Sequence, residues 1–266
     1  MSNIKTIVKV MNFQALIHVD AAHRTADRYL KLENDVSQMI NIIENNRNLV
    51  LDNKAMKIDP KAKRLRIYVG SDLGFCGAIN SSVNHELAKE DGKNDLIIIG
   101  KKIHTKLPVL LSMSRDELDK NYDKVENIFR DGLLKKAYSG IDIFYNHYYN
   151  MSHISPLMKT IFPLEKKKEE INKNDDLYRD DFMIEGGDPV YILQSLTATY
   201  INYEMHNAII NSYASENILR QQATNESLKH IDEMEVEQKW EDRKKKNALS
   251  VSRVIDSFVK TKYRAV

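Results

Sequence analysis

Gly186-Gly187-Asp188-Pro189-Val190-Tyr191-Ile192-Leu193 opens the stretch from which the architecture follows: from Pro189 to Val266 there is no glycine and no further proline. Asp188 is a good N-cap, and Pro189 suits the first helical position, where its missing N–H leaves no hydrogen bond unmade. One continuous helix of this length would extend about 115 Å. No compact domain buries such a rod, so most of it must find a partner helix or another protein.

The first partner lies at the other end of the chain. Between Ser2 and Asp59 there is again neither glycine nor proline. Apolar residues fall at alternating steps of four and three: Ile4, Val8, Met11, Ala15, Ala22, Tyr29, Leu32, Val36, Met39 and Ile43, with His18 and Thr25 interrupting the seam. That spacing predicts a coiled-coil stripe. The two helices meet the intervening segment by opposite ends, so within one chain they pair antiparallel, and the longer C-terminal helix outruns the shorter one.

The segment between them alternates strand and helix signals. Leu65 to Ser71 reads as a strand, followed by a loop with glycines at 70, 74 and 77 and a helix from about Ala78 to Lys89. Leu96 to Gly100 is a second buried strand, so the pair forms a parallel βαβ unit. Ser114 to Ser139 reads as helix closed by Gly140; Ile141 to Asn150 and Pro156 to Leu164 read as strands. Glu165 to Asp181 is Lys-, Glu-, Asn- and Asp-rich without periodicity and reads as a solvated, mobile loop, and Phe182-Met183-Ile184 as a further edge segment. The predicted fold is a long antiparallel two-helix coiled coil with an inserted small Rossmann-like α/β domain. Its parts are residues 1–58, 59–187 and 188–266, the first helix ending near Asn53, before the Asp59-Pro60 step.

Composition narrows the function classes. Forty Lys and Arg against 38 Asp and Glu leave a formal net charge of +2, so no strong field draws the chain to nucleic acid or acidic lipid. The single cysteine, Cys76, excludes an intramolecular disulfide and fits a reducing compartment. No apolar run reaches the length of a membrane span and the N-terminus has no signal-like apolar core, which predicts a cytoplasmic chain without direct membrane insertion.

Catalytic chemistry is not spelled out. A phosphate-binding P-loop ends in Gly-Lys-Ser/Thr so that a lysine and a hydroxyl reach phosphate and magnesium, whereas this loop ends Phe75-Cys76-Gly77-Ala78. The glycine spacing also misses the dinucleotide fingerprint. His85, His104, His147 and His153 show no metal-ligand spacing. Cys76 reads as a small buried thiol, and Lys244-Lys245-Lys246 as either a solvated face or a contact for an acidic partner. We expect no catalytic residue, no cofactor and no metal.

Ser71-Asp72-Leu73-Gly74-Phe75-Cys76-Gly77-Ala78-Ile79-Asn80 resembles the Ser-Asp-Arg-Gly-Leu-Cys-Gly-Gly-Leu-Asn signature of the gamma subunits of F-type ATP synthases. Asp142-Ile143-Phe144-Tyr145-Asn146 is similar to the family's Asp-x-(apolar)-x-Tyr-Asn strand, and Ile161-Phe162-Pro163 to its Leu-Leu-Pro. Ala214-Ser215-Glu216, with Arg220 and Ala223, resembles its Ala-Ser-Glu-x-x-x-Arg segment, and Asn12-Phe13-Gln14 its Asn-Thr-Gln. Ser71, Asp72, Gly74, Cys76, Gly77, Asn80, Tyr145 and Asn146 are thus signature positions with a structural reading.

The resemblance implies a non-catalytic rotor shaft inside a hexamer of three alpha and three beta subunits, where ATP is turned over, on the inner face of the cell membrane. An epsilon-type subunit and a c-ring, or a substitute, would meet its foot. Implied contacts to the hexamer are Arg220, Glu216 and Ser252, with Asn247 or Lys246 at the position of the family's Arg-Gln pair. Arg220 has a second reading, a local pair with Glu216 one turn earlier. Leu73 replaces the signature arginine, and Val19-Asp20-Ala21-Ala22 a methionine-rich turn. Those departures and the Asn-, Lys- and Ile-rich spelling resemble the F1-like ATPases that some wall-less bacteria carry, a few of them linked to gliding motility. The rival expectation from the residues is a homodimeric coiled-coil scaffold with an α/β interaction module.

Overall fold

The computed structural model describes residues 2–44, 59–150, 153–164 and 188–263. Elements in chain order are α1 (Ser2–Glu44), β1 (Lys63–Val69), α2 (Ile79–Leu87), β2 (Asp95–Ile99), β3 (Leu111–Met113), α3 (Arg115–Lys120), α4 (Tyr122–Leu134), β4 (Tyr138–Asn150), β5 (His153–Phe162) and α5 (Pro189–Tyr263). The expected end of the first helix near Asn53, the 165–181 loop and the Phe182-Met183-Ile184 segment lie outside the described residues. By internal contacts the chain divides into two compact units, one of residues 1–14 and 221–266, the other of residues 15–220.

In the larger unit the described strands form one sheet in the order β3-β2-β1-β4-β5. The first four run parallel, and β5 returns antiparallel to β4. Side chains alternate between the two faces, as the strand period of two requires. Leu65, Ile67 and Val69 of β1 share one core with Ile97, Ile99, Ile141, Ile143 and Tyr145; Leu118, Val125 and Phe129 of α3 and α4 and Ile201, Met205, Ala208 and Ile209 of α5 cover it. Tyr68, Leu96, Ile98 and Phe144 point the other way, under Val83 and Leu87 of α2. Both faces of the parallel core are therefore covered, which is why β2 reads as the unbroken apolar run Leu96-Ile97-Ile98-Ile99.

Three expectations need correction. Residues 114–139 are not one helix: Ser114 caps α3 in a capping box with Glu117, Asn121 divides α3 from α4, and Tyr138, Ser139 and Gly140 belong to β4. Gly140 does not end a helix; a Cβ there would lie 2.7 Å from the Arg64 guanidinium, which pairs with Asp142. The three-residue β3 carried no signal, being too short to show a period.

The third correction concerns the seam of α1. In the larger unit its inward positions are Ala15, Val19, Ala22, Ala26, Tyr29, Glu33, Val36, Ile40 and Ile43. The four-three spacing holds, but one column is shifted by a residue: Leu32 and Met39 are 42% and 52% exposed while Glu33 and Ile40 are 7% and 2%. His18 and Thr25 interrupted the expected seam because they lie outside the true one. Val36, Ile40 and Ile43 pack with Leu193 of α5, and Tyr29 stacks on His206, so rising numbers on α1 meet falling numbers on α5. The smaller unit has the same antiparallel sense. Lys5 Nζ lies 2.5 Å from Asp232 and 2.8 Å from Glu235, and Asn12 Nδ2 donates to Thr224 Oγ1 at 2.9 Å. At the start of α5, Asp188 Oδ1 accepts the Val190 N–H at 3.0 Å, the expected cap.

Candidate functional site

The turn after β1 is a knot of short polar contacts. Asn80, in the first turn of α2, accepts the Ser71 N–H at 3.0 Å through Oδ1 and donates from Nδ2 to Ser71 Oγ at 2.7 Å. Ser71 Oγ in turn donates to the Leu73 carbonyl at 2.7 Å and lies 3.3 Å from Cys76 Sγ. Asp72 splits its carboxylate between the N–H groups of Lys101 and Arg115, at 3.0 and 3.1 Å, and so ties the loop after β2 to the start of α3. Gly77, at φ +60°, sits against Leu219 of α5. Ser71, Asp72, Cys76, Gly77 and Asn80 are therefore brought together to fix the turn. Gly74 is different: a Cβ there would meet nothing within 4 Å. Its neighbours are exposed apolar side chains, Leu73 and Phe75, the latter 74% exposed and held at φ +59°.

The remaining signature residues bind the sheet to α5. Ser215 Oγ, fully buried, donates to the Asn146 carbonyl at 3.0 Å. Asn146 Oδ1 accepts from Ser82 of α2, and its Nδ2 has no hydrogen-bond partner among the described residues. Tyr145 OH lies 3.2 Å from His147 Nδ1, and burial, assisted by the Glu204 carboxylate, pushes the phenol above its ordinary value. Glu204 is itself buried and takes Lys159 Nζ at 2.6 and 2.8 Å.

The five expected partner contacts fall into two groups. Glu216 and Arg220 belong to the larger unit and are buried. One Glu216 oxygen receives Arg220, the other receives Arg115 Nη2 at 2.9 Å, and Arg220 also donates to Asn217 Oδ1 at 2.9 Å. Lys246, Asn247 and Ser252 belong to the smaller unit and are exposed, as is every described residue from 236 to 257. That stretch exposes Val236, Trp240, Leu249, Val251, Val254 and Ile255, and α1 in the same unit exposes Ile4, Ile7, Val10 and Phe13. Lys244 Nζ lies 5.5 Å from the Trp240 ring.

Sequence reasoning missed Arg115, because its partner is 101 residues away and nothing local marks it. It also passed over Ile7 and Val10 and the outward face of Phe13, apolar positions outside the expected seam, and it put Ile4 in that seam although Ile4 is exposed. Among the described residues no group of three or more His, Cys, Asp or Glu could hold a metal ion, and no helix is long and apolar enough to cross a membrane.

Residues 1–247 match the family model described as ATP synthase. Curated relatives carrying the description ATP synthase gamma chain include one from Mycoplasma mobile, 29% identical over 197 residues that span 68% of this chain and 66% of that protein. The chain belongs to the gamma family of ATP synthases. A gamma chain from Wolbachia pipientis subsp. Culex pipiens aligns further, with 26% identity over 87% of this chain and 86% of its own length. Among solved structures, the central stalk and c-ring structure of the Tetrahymena thermophila mitochondrial ATP synthase contains a chain of the same fold. It has a TM-score of 0.52 at 19% identity, covering 83% of this chain and 99% of the other. As a gamma-family chain it has the N-terminal helix, central α/β sheet and long C-terminal helix of the stalk fold.

Proposed function

We propose that this chain is the rotating shaft of an F1-type ATPase, with the exposed part of α5 and the outward face of α1 turning inside a hexamer of alpha- and beta-type subunits. The observation that carries the reading is the exposed apolar set of the smaller unit: Val236, Trp240, Val251 and Ile255 on α5, and Ile7, Val10 and Phe13 on α1. A free helix pair in water gains nothing from such residues, whereas an apolar sleeve turns them into buried contact. Lys246, Asn247 and Ser252 lie in the same stretch and are the polar contacts we assign to the hexamer.

The coupling mechanism needs no reactive group on the shaft. An asymmetric rod presents a different face to each of three equivalent catalytic subunits and so biases each between open and closed states. Sequential closure around ATP then turns the rod, and forced rotation drives the reverse. The complex is peripheral to the inner face of the cell membrane, and an epsilon-type subunit with a c-ring, or a substitute for them, meets the α/β unit. The departures from the family pattern at Leu73 and at residues 19–22, together with the Asn-, Lys- and Ile-rich spelling, support reading the complex as a specialised F1-like motor, of the kind linked to gliding, rather than a conventional proton-driven synthase.

Native mass spectrometry of the endogenous complex, purified through a tag inserted within residues 165–181, tests the proposal. One copy of this chain with three copies each of two larger ATPase-type chains is the expected composition. Two copies and no ATPase chains would replace the shaft with the homodimeric scaffold.

A further inference from the structure

We propose that Arg115, Glu216 and Arg220 form a torsional lock that stops α5 from rolling on the sheet, with Arg115 as the positioning residue on the sheet side. The proposal rests on the shaft reading above and adds to it the place where torque passes between the α/β unit and the helix.

Upstream of the lock, α5 is held by Ile201, Met205, Ala208 and Ile209 in the sheet core. Such contacts are non-directional and oppose separation more than rotation. At residues 213–220 the contacts change character. Glu216, 2% exposed, gives one carboxylate oxygen to each of two guanidinium groups, Arg115 from α3 and Arg220 from the next turn of α5. Arg115 also lies 4.0 Å over the Tyr213 ring, and its backbone N–H donates to Asp72, whose other oxygen holds Lys101. Arg220 reaches the Gly74 carbonyl at 3.4 Å. From α5 to the loops at the ends of β1 and β2 there is thus one line of directional, charge-assisted bonds.

A second line runs from Ser215 Oγ to the Asn146 carbonyl of β4, with Leu219 against Gly77 beside it. On a helix of about 3.6 residues per turn, Ser215 and Leu219 face roughly 100° away from the side that carries Tyr213, Glu216 and Arg220. A single anchor leaves a helix free to pivot about it; two anchors at that angular separation do not. Both lie at the end of the larger unit, whose last residue is Arg220. Stability alone does not call for such a triad, because replacing buried ion pairs by apolar side chains is often neutral or stabilising.

The test uses the assembled complex with a probe on Ser81→Cys, an exposed position of α2. The angular variance of the probe during nucleotide-waiting pauses gives the torsional stiffness. Arg115→Met should raise that variance at least twofold with ATP turnover unchanged, and Arg115→Lys, which keeps the charge but not the fork, should recover part of it. Ser215→Ala, at the second anchor, should raise it in the same way and serves if Arg115→Met fails to assemble. Ile67→Val, a sheet-core change remote from the triad, should leave it unaltered. Unchanged variance in Arg115→Met and Ser215→Ala, or equal widening by Ile67→Val, overturns the lock. Absence of rotation by the wild-type chain in its ring overturns the shaft reading instead, and is seen before any variant is made.

Discussion

The imidazole of His206 lies nearly parallel to the ring of Tyr122, with centroids 4.6 Å apart and 27° between the planes. Tyr29 of α1 stacks on His206 as well, at 4.9 Å and 13°, so a histidine of α5 is held by aromatic rings from two other helices. Burial holds the imidazole below its ordinary value, against an opposing pull from Asp119. His147 is lowered in the same direction by burial and by the Lys159 charge.

The sign of the pH effect follows. The unfolded chain binds these protons better than the folded one, so their contribution to stability is full above about pH 6.5 and is lost as the pH falls below it. The thermal midpoint should drop on going from about pH 7.5 to about pH 5.5, and His206→Phe, which keeps a flat ring without the titration, should lessen the drop. Equal slopes for wild type and variant would show that His206 does not titrate with unfolding.

The shifted seam gives a contrast between adjacent residues. Ile40→Ala should destabilise the larger unit by about 2–5 kcal/mol, because it empties a buried site against α5. Met39→Ala should cost under about 0.5 kcal/mol. Urea unfolding of the two variants separates the register described here from one in which residue 39 faces inward.

Two glycines, Gly100 after β2 and Gly74 in the turn after β1, should behave differently. Gly100 has φ +124°, and a Cβ there would lie 2.9 Å from the carbonyl carbon of Gly70, so backbone meets backbone. Gly100→Ala should cost about 1–3 kcal/mol or more. Gly74→Ala should change stability by under about 0.5 kcal/mol, since its surroundings are open. Thermal melts of both variants are the check.

Deleting the residues after Val251 should leave the thermal midpoint where it is, because the described positions 252–257 are exposed. It should weaken co-purification with the hexamer. Unchanged association would remove Ser252 from the contacts assigned to the partner.

Much of the site was legible and part was not, for reasons that differ by residue. Ser71, Cys76 and Asn80 lie within ten residues of one another and contact one another across that short span, whereas Asp72 reaches Lys101 and Arg115, and Gly77 sits against Leu219, at separations that local spacing does not show. Arg115 and Glu216 meet across 101 residues, a separation at which no local spacing carries information. Arg220 had two readings because a one-turn pair and an external contact place the same residue type at the same helical position; its packing against Asn217 and Gly74 is a property of the folded unit.

The linear chain was enough to specify the helices, their antiparallel sense and the parallel βαβ core. Each of these depends on local backbone chemistry or on chain direction: absent glycine and proline, an aspartate before a first-turn proline, and apolar runs with the strand period. Folding in three dimensions chose which column of α1 faces α5: Met39 and Ile40 are both apolar and offer no local choice, and at the next pair the charged Glu33 is buried while its neighbour Leu32 is exposed. It also drew Gly140 into a strand, gave β3 its place beside β2 and closed two guanidinium groups on Glu216. Those outcomes depend on energies summed over neighbours distant in sequence, which appear only when the neighbours arrive.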